Sequence, residues 1–310
     1  MDGIINVYKE KGYTSFDVVA KLRGILHQKK IGHTGTLDPD AEGVLPVCLG
    51  KATKLCDYLT EKTKIYEAVI KLGVRTDTED ISGKVLGNKP YSGDEEQLIS
   101  VINSFKGEMK QIPPMYSAIK VDGKKLYELA RKGITIDREA RDIVIYDIKV
   151  LDINLCQGLV RINVHVSKGT YIRTLCKDIG EKLGCDACMY QLLRTKSGTF
   201  EIADSIKLET IQKLADSNEL EQYVTKINEV FDMPGVLMKK ECDAYVKNGN
   251  RINSEMFDKE VKPEKKAFLS TGNQDICVYY SDNSFAALYR EISDNNSKDI
   301  KDYKVLKMFS

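Results

Sequence analysis

Between Gly32 and Lys54 the chain reads Gly-His-Thr-Gly-Thr-Leu-Asp-Pro-Asp-Ala-Glu-Gly-Val-Leu-Pro-Val-Cys-Leu-Gly-Lys-Ala-Thr-Lys, and this stretch constrains the fold more than any other. Its four glycines, Gly32, Gly35, Gly43 and Gly50, mark places where the backbone bends or passes close to a neighbour. Pro39 pushes Asp38 away from helical dihedrals and onto an extended or turn segment. A carboxylate held there is presented rather than packed. An Asp-Pro turn alone is ordinary. Here, however, His33, Thr34, Thr36 and Asp38 crowd polar groups onto one loop, and Val44, Leu45, Val47 and Leu49 then resume an apolar run. Loops anchored on a rigid scaffold are where chemistry concentrates, which makes this loop a candidate site.

The flanking segments alternate between the two structural periods. Gly3–Tyr8 reads as a strand ended by Lys9-Glu10-Lys11-Gly12. Thr14 with Asp17 three residues on is a capping-box start, and Val18, Leu22 and Ile25 follow on one helical face. Lys29 and Lys30 precede the glycine-rich loop, bringing cations to it from the N-terminal side. Residues 65–72 alternate with strand period, placing Tyr66, Ala68, Ile70 and Leu72 on one face. Arg75 to Gly83 reads as a polar connection between two strands, and Asp94 opens a helix. Residues 143–153 and 159–166 are strands, and Ile172, Leu175, Ile179 and Leu183 keep helical period. Arg173 falls in the first turn of that helix, beside its positive end, so a carboxylate or phosphate partner is expected from elsewhere.

Composition bounds the function class. An apolar share of 42% and a charged share of 30% describe a globular protein, with length for one large domain and a small one. No run of about 18 apolar residues or secretion signal is present, and the eight cysteines form no disulfide-like framework, which suggests a cytoplasmic setting. Cys185-x-x-Cys188 lacks a second pair at metal-ligand spacing, so no metal site is expected. Net charge is only +1, but residues 104–141 hold nine Lys/Arg against five Asp/Glu, while residues 201–232 hold three against eight. The first of these interleaves Tyr116 and Tyr127 with Lys120, Lys124, Lys125 and Arg131, a mixture suited to stacking on bases and neutralising phosphates.

The glycine-rich stretch resembles the signature G-H-x-G-x-L-D-P-x-A-x-G of the TruB family of tRNA pseudouridine synthases, matched at every fixed position. Four further segments resemble that family in order: the Lys-x-Tyr context of Tyr66, the string Arg75-Thr-Asp-Thr-Glu-Asp80, Gly169-Thr-Tyr-Ile-Arg173, and Leu192-Leu-Arg-Thr-Lys-Ser-Gly-Thr-Phe200. The last departs from the family pattern at Leu193, where an arginine is usual. The resemblance implies Asp38 as nucleophile, Arg173 as its ion-pair partner, and Tyr66 stacked on the target base. It also implies His33, Tyr171 and Leu192 as substrate contacts, and residues 104–141 as a thumb-like insertion that closes over RNA. Lys120, Lys124 and Lys125 are the candidate contacts to the RNA backbone. Arg173 is expected to hold the Asp38 pKa low even when buried, an opposite charge offsetting desolvation.

The expected architecture is therefore mixed α/β, a largely antiparallel sheet with helices over residues 1–233, followed by a small PUA-like β-barrel over residues 236–310. The expected activity is cofactor-free isomerisation of the T-loop uridine at tRNA position 55 by a monomer with no membrane association and no obligate protein partner. Two rivals share parts of the pattern. An RNA-guided pseudouridylase shares the Asp motif, and a catalytically silent RNA-binding module would keep the basic insertion without needing Asp38 and Arg173.

Overall fold

In the computed structural model, residues 1–121, 123–263, 269, 274–292 and 300–309 are described, the side chains of Lys120 and Lys125 excepted. The first fourteen strands are β1 (Gly3–Lys9), β2 (Ile31–His33), β3 (Glu42–Leu49), β4 (Lys64–Leu72), β5 (Arg75–Thr76), β6 (Val85–Gly87), β7 (Gly107–Gln111), β8 (Lys120–Val121), β9 (Lys124–Lys125), β10 (Arg141–Asn154), β11 (Leu159–Val166), β12 (Ala187–Ser197), β13 (Phe200–Glu201) and β14 (Val224–Thr225). Ten of them form one sheet with the path β14-β1-β3-β12-β4-β11-β10-β7, β2 pairing with β3 and β13 with β12. Every pairing in it is antiparallel except β3 with β12. That parallel seam joins the two halves of the sheet.

The helices that position the site are α1 (Ser15–Ile25), α2 (Cys56–Thr60), α3 (Glu95–Asn103), α4 (Leu126–Ala130), α5 (Ile172–Lys182) and α6 (Leu208–Asp216). Thr14 caps α1 through the expected reciprocal capping box with Asp17, and Asp94 caps α3. The alternation in β4 is strict: Tyr66, Ala68, Ile70 and Leu72 are buried and pack with Val160, Ile162, Val164, Leu175 and Ile179 in one core. A second core lies around β1, β3, α1 and α6. Lys9 departs from the sequence expectation. Placed in the polar string after the first strand, it is instead the last residue of β1 and has 0% exposure.

The remaining chain folds as β15 (Gly235–Met238), α7 (Asp243–Lys247), β16 (Ile252–Asn253), β17 (Phe257–Val261), β18 (Asp275–Tyr279), β19 (Phe285–Ile292) and β20 (Asp302–Met308). Its strands form a second sheet, β16-β20-β19-β18-β15-β17, curled into a half-barrel. The two sheets share an apolar core in which Cys277, Leu288 and Phe309 pack with Ile4, Val44, Leu55 and Phe231. Phe309 packs against Phe231 and Phe285 with ring centroids 6.2 and 5.3 Å away. No helix among the described residues is long and apolar enough to cross a membrane.

This shared core predicts coupled unfolding. Phe309→Ala, which empties a fully buried aromatic site, should cost about 3–5 kcal/mol. Denaturant unfolding followed by near-ultraviolet circular dichroism and by hydrogen exchange in both sheets checks it. A variant in which only the second sheet loses protection would contradict the coupling.

Candidate active site

Asp38 stands where β2 and β3 are joined, on a turn closed by the Ala41 amide donating to the Asp38 carbonyl at 3.1 Å. The loop owes its shape to groups beneath it. Thr34 is fully buried, its hydroxyl and amide both donating to the Pro46 carbonyl at 3.1 Å. Ser15 holds Leu37 from both sides, accepting from its amide at 2.8 Å and donating to its carbonyl at 3.3 Å. Two buried cations then bind loop carbonyls. The Lys9 ammonium donates to Ala41 at 2.5 Å and Pro39 at 3.2 Å. Arg194, 1% exposed, donates through Nε to Val44 at 2.7 Å and reaches Gly35 at 3.4 Å and Thr36 at 3.5 Å. Neither forms an ion pair with a carboxylate among the described residues. Their charge is solvated by peptide dipoles instead of water.

The parallel seam makes this arrangement possible. Arg194 on β12 pairs with Gly43 on β3, and a Cβ on Gly43 would lie 2.2 Å from the Arg194 carbonyl oxygen. Gly43 also has φ +106°, a conformation that favours glycine. Two strands therefore approach at a contact only glycine allows, and the Arg194 guanidinium is delivered under the loop. Lys9 and Arg194 are residues that the sequence reading missed. Burial pushes the Lys9 ammonium down to about 8, against the pull of Asp38 and Glu42.

Above the loop, Arg173 grips Asp38 with two nitrogens, Nε to Oδ2 at 2.9 Å and an Nη to Oδ1 at 3.3 Å. The same guanidinium donates to the Tyr116 carbonyl at 2.8 Å and the Thr78 carbonyl at 3.1 Å, and lies 3.8 Å from the Asp80 carboxylate. It is 7% exposed on its side chain, whereas that of Asp38 is 34% exposed. The partner is buried and the carboxylate faces the opening. Asp80 is itself fixed by the Thr78 and Ser82 hydroxyls at 2.8 and 2.6 Å. Beside it, Glu79 accepts from the Thr174 hydroxyl at 2.6 Å. The segment read as a plain polar connection thus packs its carboxylates onto the first turn of α5.

The charge balance at Asp38 differs from the sequence expectation. Burial among the walls of the site pushes its carboxyl above the ordinary value. Arg173 opposes that rise, while Asp80 adds to it. An ion pair with a shared arginine does not outweigh desolvation when a second carboxylate draws on the same guanidinium.

The other sequence candidates fall around this pair. Tyr66 and Leu192 belong with Leu37 and Ile172 to one apolar cluster that floors the site. Tyr171 precedes α5, with its backbone clamped by the buried Gln111 amide, which donates to the Tyr171 carbonyl at 3.0 Å and accepts from its amide at 2.8 Å. Burial pushes its phenol up. His33 accepts from the Gly35 amide through Nδ1 at 3.3 Å, and burial, then Arg194, push its imidazole down, so it is neutral near pH 7. Leu193 pairs with Glu42 on one side and Glu67 on the other. Lys124 is exposed in the β8–β9 hairpin, and the side chains of Lys120 and Lys125 lie outside the described residues. A cavity of about 580 Å³ lies between α3 and β10 and is lined by none of these groups.

Arg194→Leu should free the Val44 carbonyl and the longer contacts to Gly35 and Thr36, lowering stability by about 2–3 kcal/mol. Amide exchange across residues 35–44 should accelerate more than exchange in β11. Equal acceleration everywhere would contradict a local role for the clamp.

Comparison with known proteins adds independent findings. Residues 23–172 match the N-terminal domain of TruB family pseudouridylate synthases, and residues 173–231 match the tRNA pseudouridylate synthase B C-terminal domain. The tRNA pseudouridine synthase B of Lachnoclostridium phytofermentans is 48% identical over 100% of both chains. That of Clostridium kluyveri is 46% identical over 90% of this chain and 95% of the relative. Among solved structures, a Cbf5-Nop10-Gar1 complex contains a chain 29% identical, with a TM-score of 0.70 over 99% of this chain and 85% of that one. An H/ACA RNP bound to a substrate RNA containing 2'-deoxyuridine contains one 27% identical, with a TM-score of 0.69 over 99% and 85%.

Proposed function

Because this chain belongs to the TruB family of pseudouridylate synthases and isomerises uridine to pseudouridine in tRNA, we propose that its target is the T-loop uridine at position 55 and that Asp38 is its nucleophile. The observation that carries the assignment is the two-pronged Arg173 contact to a partly open Asp38. A silent RNA-binding module has no use for a carboxylate presented in this way.

The reaction breaks the N1–C1′ glycosidic bond, turns the uracil, and forms C5–C1′, after which C5 releases its proton and N1, now free of the sugar, takes one up. Nothing else is consumed, so the chemistry requires a carboxylate and a pocket that retains a detached base. Asp38 serves as the ionised group whether it adds to C1′, adds to C6, or removes the 2′ proton. Arg173 stabilises that form and fixes the carboxylate plane. The target base is stacked in its loop and must leave it, at about a few kcal/mol. His33, neutral and beside the opening, fills the vacated space. Tyr66 and Tyr171 hold the extruded uracil above Leu192.

The insertion over residues 104–141 is the device for gripping RNA, with Lys120, Lys124 and Lys125 as backbone contacts. Tyr116 ties it to Arg173, and Gln111 ties it to Tyr171, so RNA seated on the insertion is linked to the catalytic pair through two direct contacts. Residues 1–233 form the catalytic unit and residues 236–310 an RNA-binding appendage. The enzyme acts in the cytoplasm as a stand-alone monomer without a cofactor. The near full-length likeness to tRNA enzymes supports that reading over a guided assembly, whose solved members are less similar in sequence.

Asp38→Asn should abolish tritium release from C5-labelled tRNA, by at least about a thousandfold, while filter binding stays within threefold of wild type. Activity within tenfold of wild type would remove Asp38 from the mechanism. Arg173→Leu should lower the single-turnover rate on bound tRNA at least a hundredfold. A normal rate with collapsed affinity would make Arg173 a phosphate contact instead.

A further inference from the structure

The start of helix α1 and the turn that leads into it are bonded to the two neighbours of Asp38. The Gly12 amide donates to the Pro39 carbonyl at 2.9 Å, and Ser15 holds Leu37 as described. The next residue, Phe16, is 62% exposed, the highest value among the exposed large apolar side chains of the described residues. Isolated exposed apolar residues are common. Phe16 is not isolated. The Arg23 guanidinium sits 5.7 Å from its ring centroid and also contacts the Ile31 carbonyl at 3.4 Å, two residues before His33. Tyr13 carries Lys21 in the same way at 5.6 Å.

The charges around this stripe are unbalanced. Among the described residues the acids beside it are already engaged: Asp17 by Thr14, Glu10 by Lys207 at 3.2 Å, Asp40 by Lys11 at 3.9 Å, and Asp2 by the Lys51 backbone amide at 2.7 Å. Among the described residues no carboxylate pairs with Lys21, Arg23, Lys29 or Lys30. The cationic band continues past the helix. Lys54 is crowded by Lys30, Lys51 and Lys307, and burial together with these neighbours pushes its ammonium down. Lys54 also donates to the Met308 carbonyl at 2.7 Å, so the band reaches the second sheet.

We propose that Phe16, Arg23, Lys29, Lys30 and Lys51 form a second RNA-contact surface, on the Leu37–Pro39 side of Asp38. It rests on the proposed tRNA function and names how that substrate is held. Phe16 with Arg23 above it offers a stacking platform for an unpaired base or ribose beside the target, and the lysines neutralise phosphates leading toward the second sheet. The target nucleotide is then gripped from two sides, by the insertion at Arg173 and Tyr171 and by α1 at the Asp38 loop. Position matters here as much as charge: RNA that places a uridine between His33 and Asp38 passes directly over the residues bonded to α1.

The test uses the full-length protein and unmodified tRNA, with filter binding at several salt concentrations and single-turnover tritium release at saturating enzyme. Two variants separate the parts: Phe16→Ala, and the triple change Lys29→Gln, Lys30→Gln and Lys51→Gln. All four side chains are exposed, so folding is not at stake. The triple variant should flatten the plot of log affinity against log salt by about one unit for each phosphate no longer neutralised. Phe16→Ala should weaken binding about fivefold or more with the slope unchanged, because stacking releases few ions. Both should keep the single-turnover rate on bound tRNA within twofold of wild type. Unchanged affinity and slope in both variants, while wild type still isomerises tRNA, would overturn the proposal. So would a fall in the bound rate with affinity intact. A wild-type protein that bound tRNA with these variant effects but released no tritium would count against the catalytic assignment and leave this surface standing.

Discussion

Everything at this site depends on one ion pair held between two kinds of burial. Arg173 is nearly sealed, whereas Asp38 lies partly open, and the two meet through two nitrogen–oxygen contacts. A carboxylate in such a place tends to take up a proton, since the walls that exclude water also remove its solvation. Arg173 resists that tendency, and Asp80, drawing on the same guanidinium, limits how far it can. The result is a carboxylate that burial and Asp80 push toward protonation and that Arg173 holds back from it. A nucleophile locked in a strong, exclusive salt bridge would have to break it to react.

The geometry of the pair is set from below. Lys9 and Arg194 are cations with no acidic partner among the described residues, and both donate to backbone carbonyls of the Asp38 loop and the segments that flank it. Burying a charge without a counter-ion is costly unless dipoles replace water. A loop of fixed shape with inward carbonyls meets that requirement, so loop and cations stabilise each other. The parallel seam between β3 and β12, with Gly43 pressed against the Arg194 backbone, is where the fold delivers this constraint. The core shared by the two sheets lies behind the same strands, since Val44 and Cys48 of β3 belong to it.

How much of this was legible in the sequence follows from how local each signal is. The Asp38 turn, the Thr14 capping box, the β4 alternation and the Asp94 cap are each written within a few residues, and all appear in the structure. Asp38 and Arg173 are 135 residues apart, yet both lie in motifs that name a chemistry, and the structure brings them together. Lys9 and Arg194 were not legible. Lys9 stands next to Glu10-Lys11-Gly12 and reads as part of a polar strand ending, while its burial depends on carbonyls some 30 residues away. Arg194 reaches across 150 residues to Val44. Asp80 looked like turn chemistry because its nearest partners, Thr78 and Ser82, are local. The Asp38 pKa was misread for a related reason: the arginine was visible in sequence, and the second carboxylate competing for it was not.

The central claim is that Asp38 reacts as an ionised carboxylate whose charge Arg173 maintains against burial. The measurement that tests it most directly is the single-turnover rate on bound tRNA as a function of pH, for wild type and for Arg173→Leu. Because burial raises the Asp38 pKa, the rate is present above that pKa and lost as pH falls through it. The wild-type acid limb should therefore lie above the ordinary carboxylate value of 3.8. Removing Arg173 takes away the larger of the two charges that lower the pKa, the other being Lys9, so the acid limb of the variant should move to still higher pH. Coincident acid limbs in the two proteins would contradict the account.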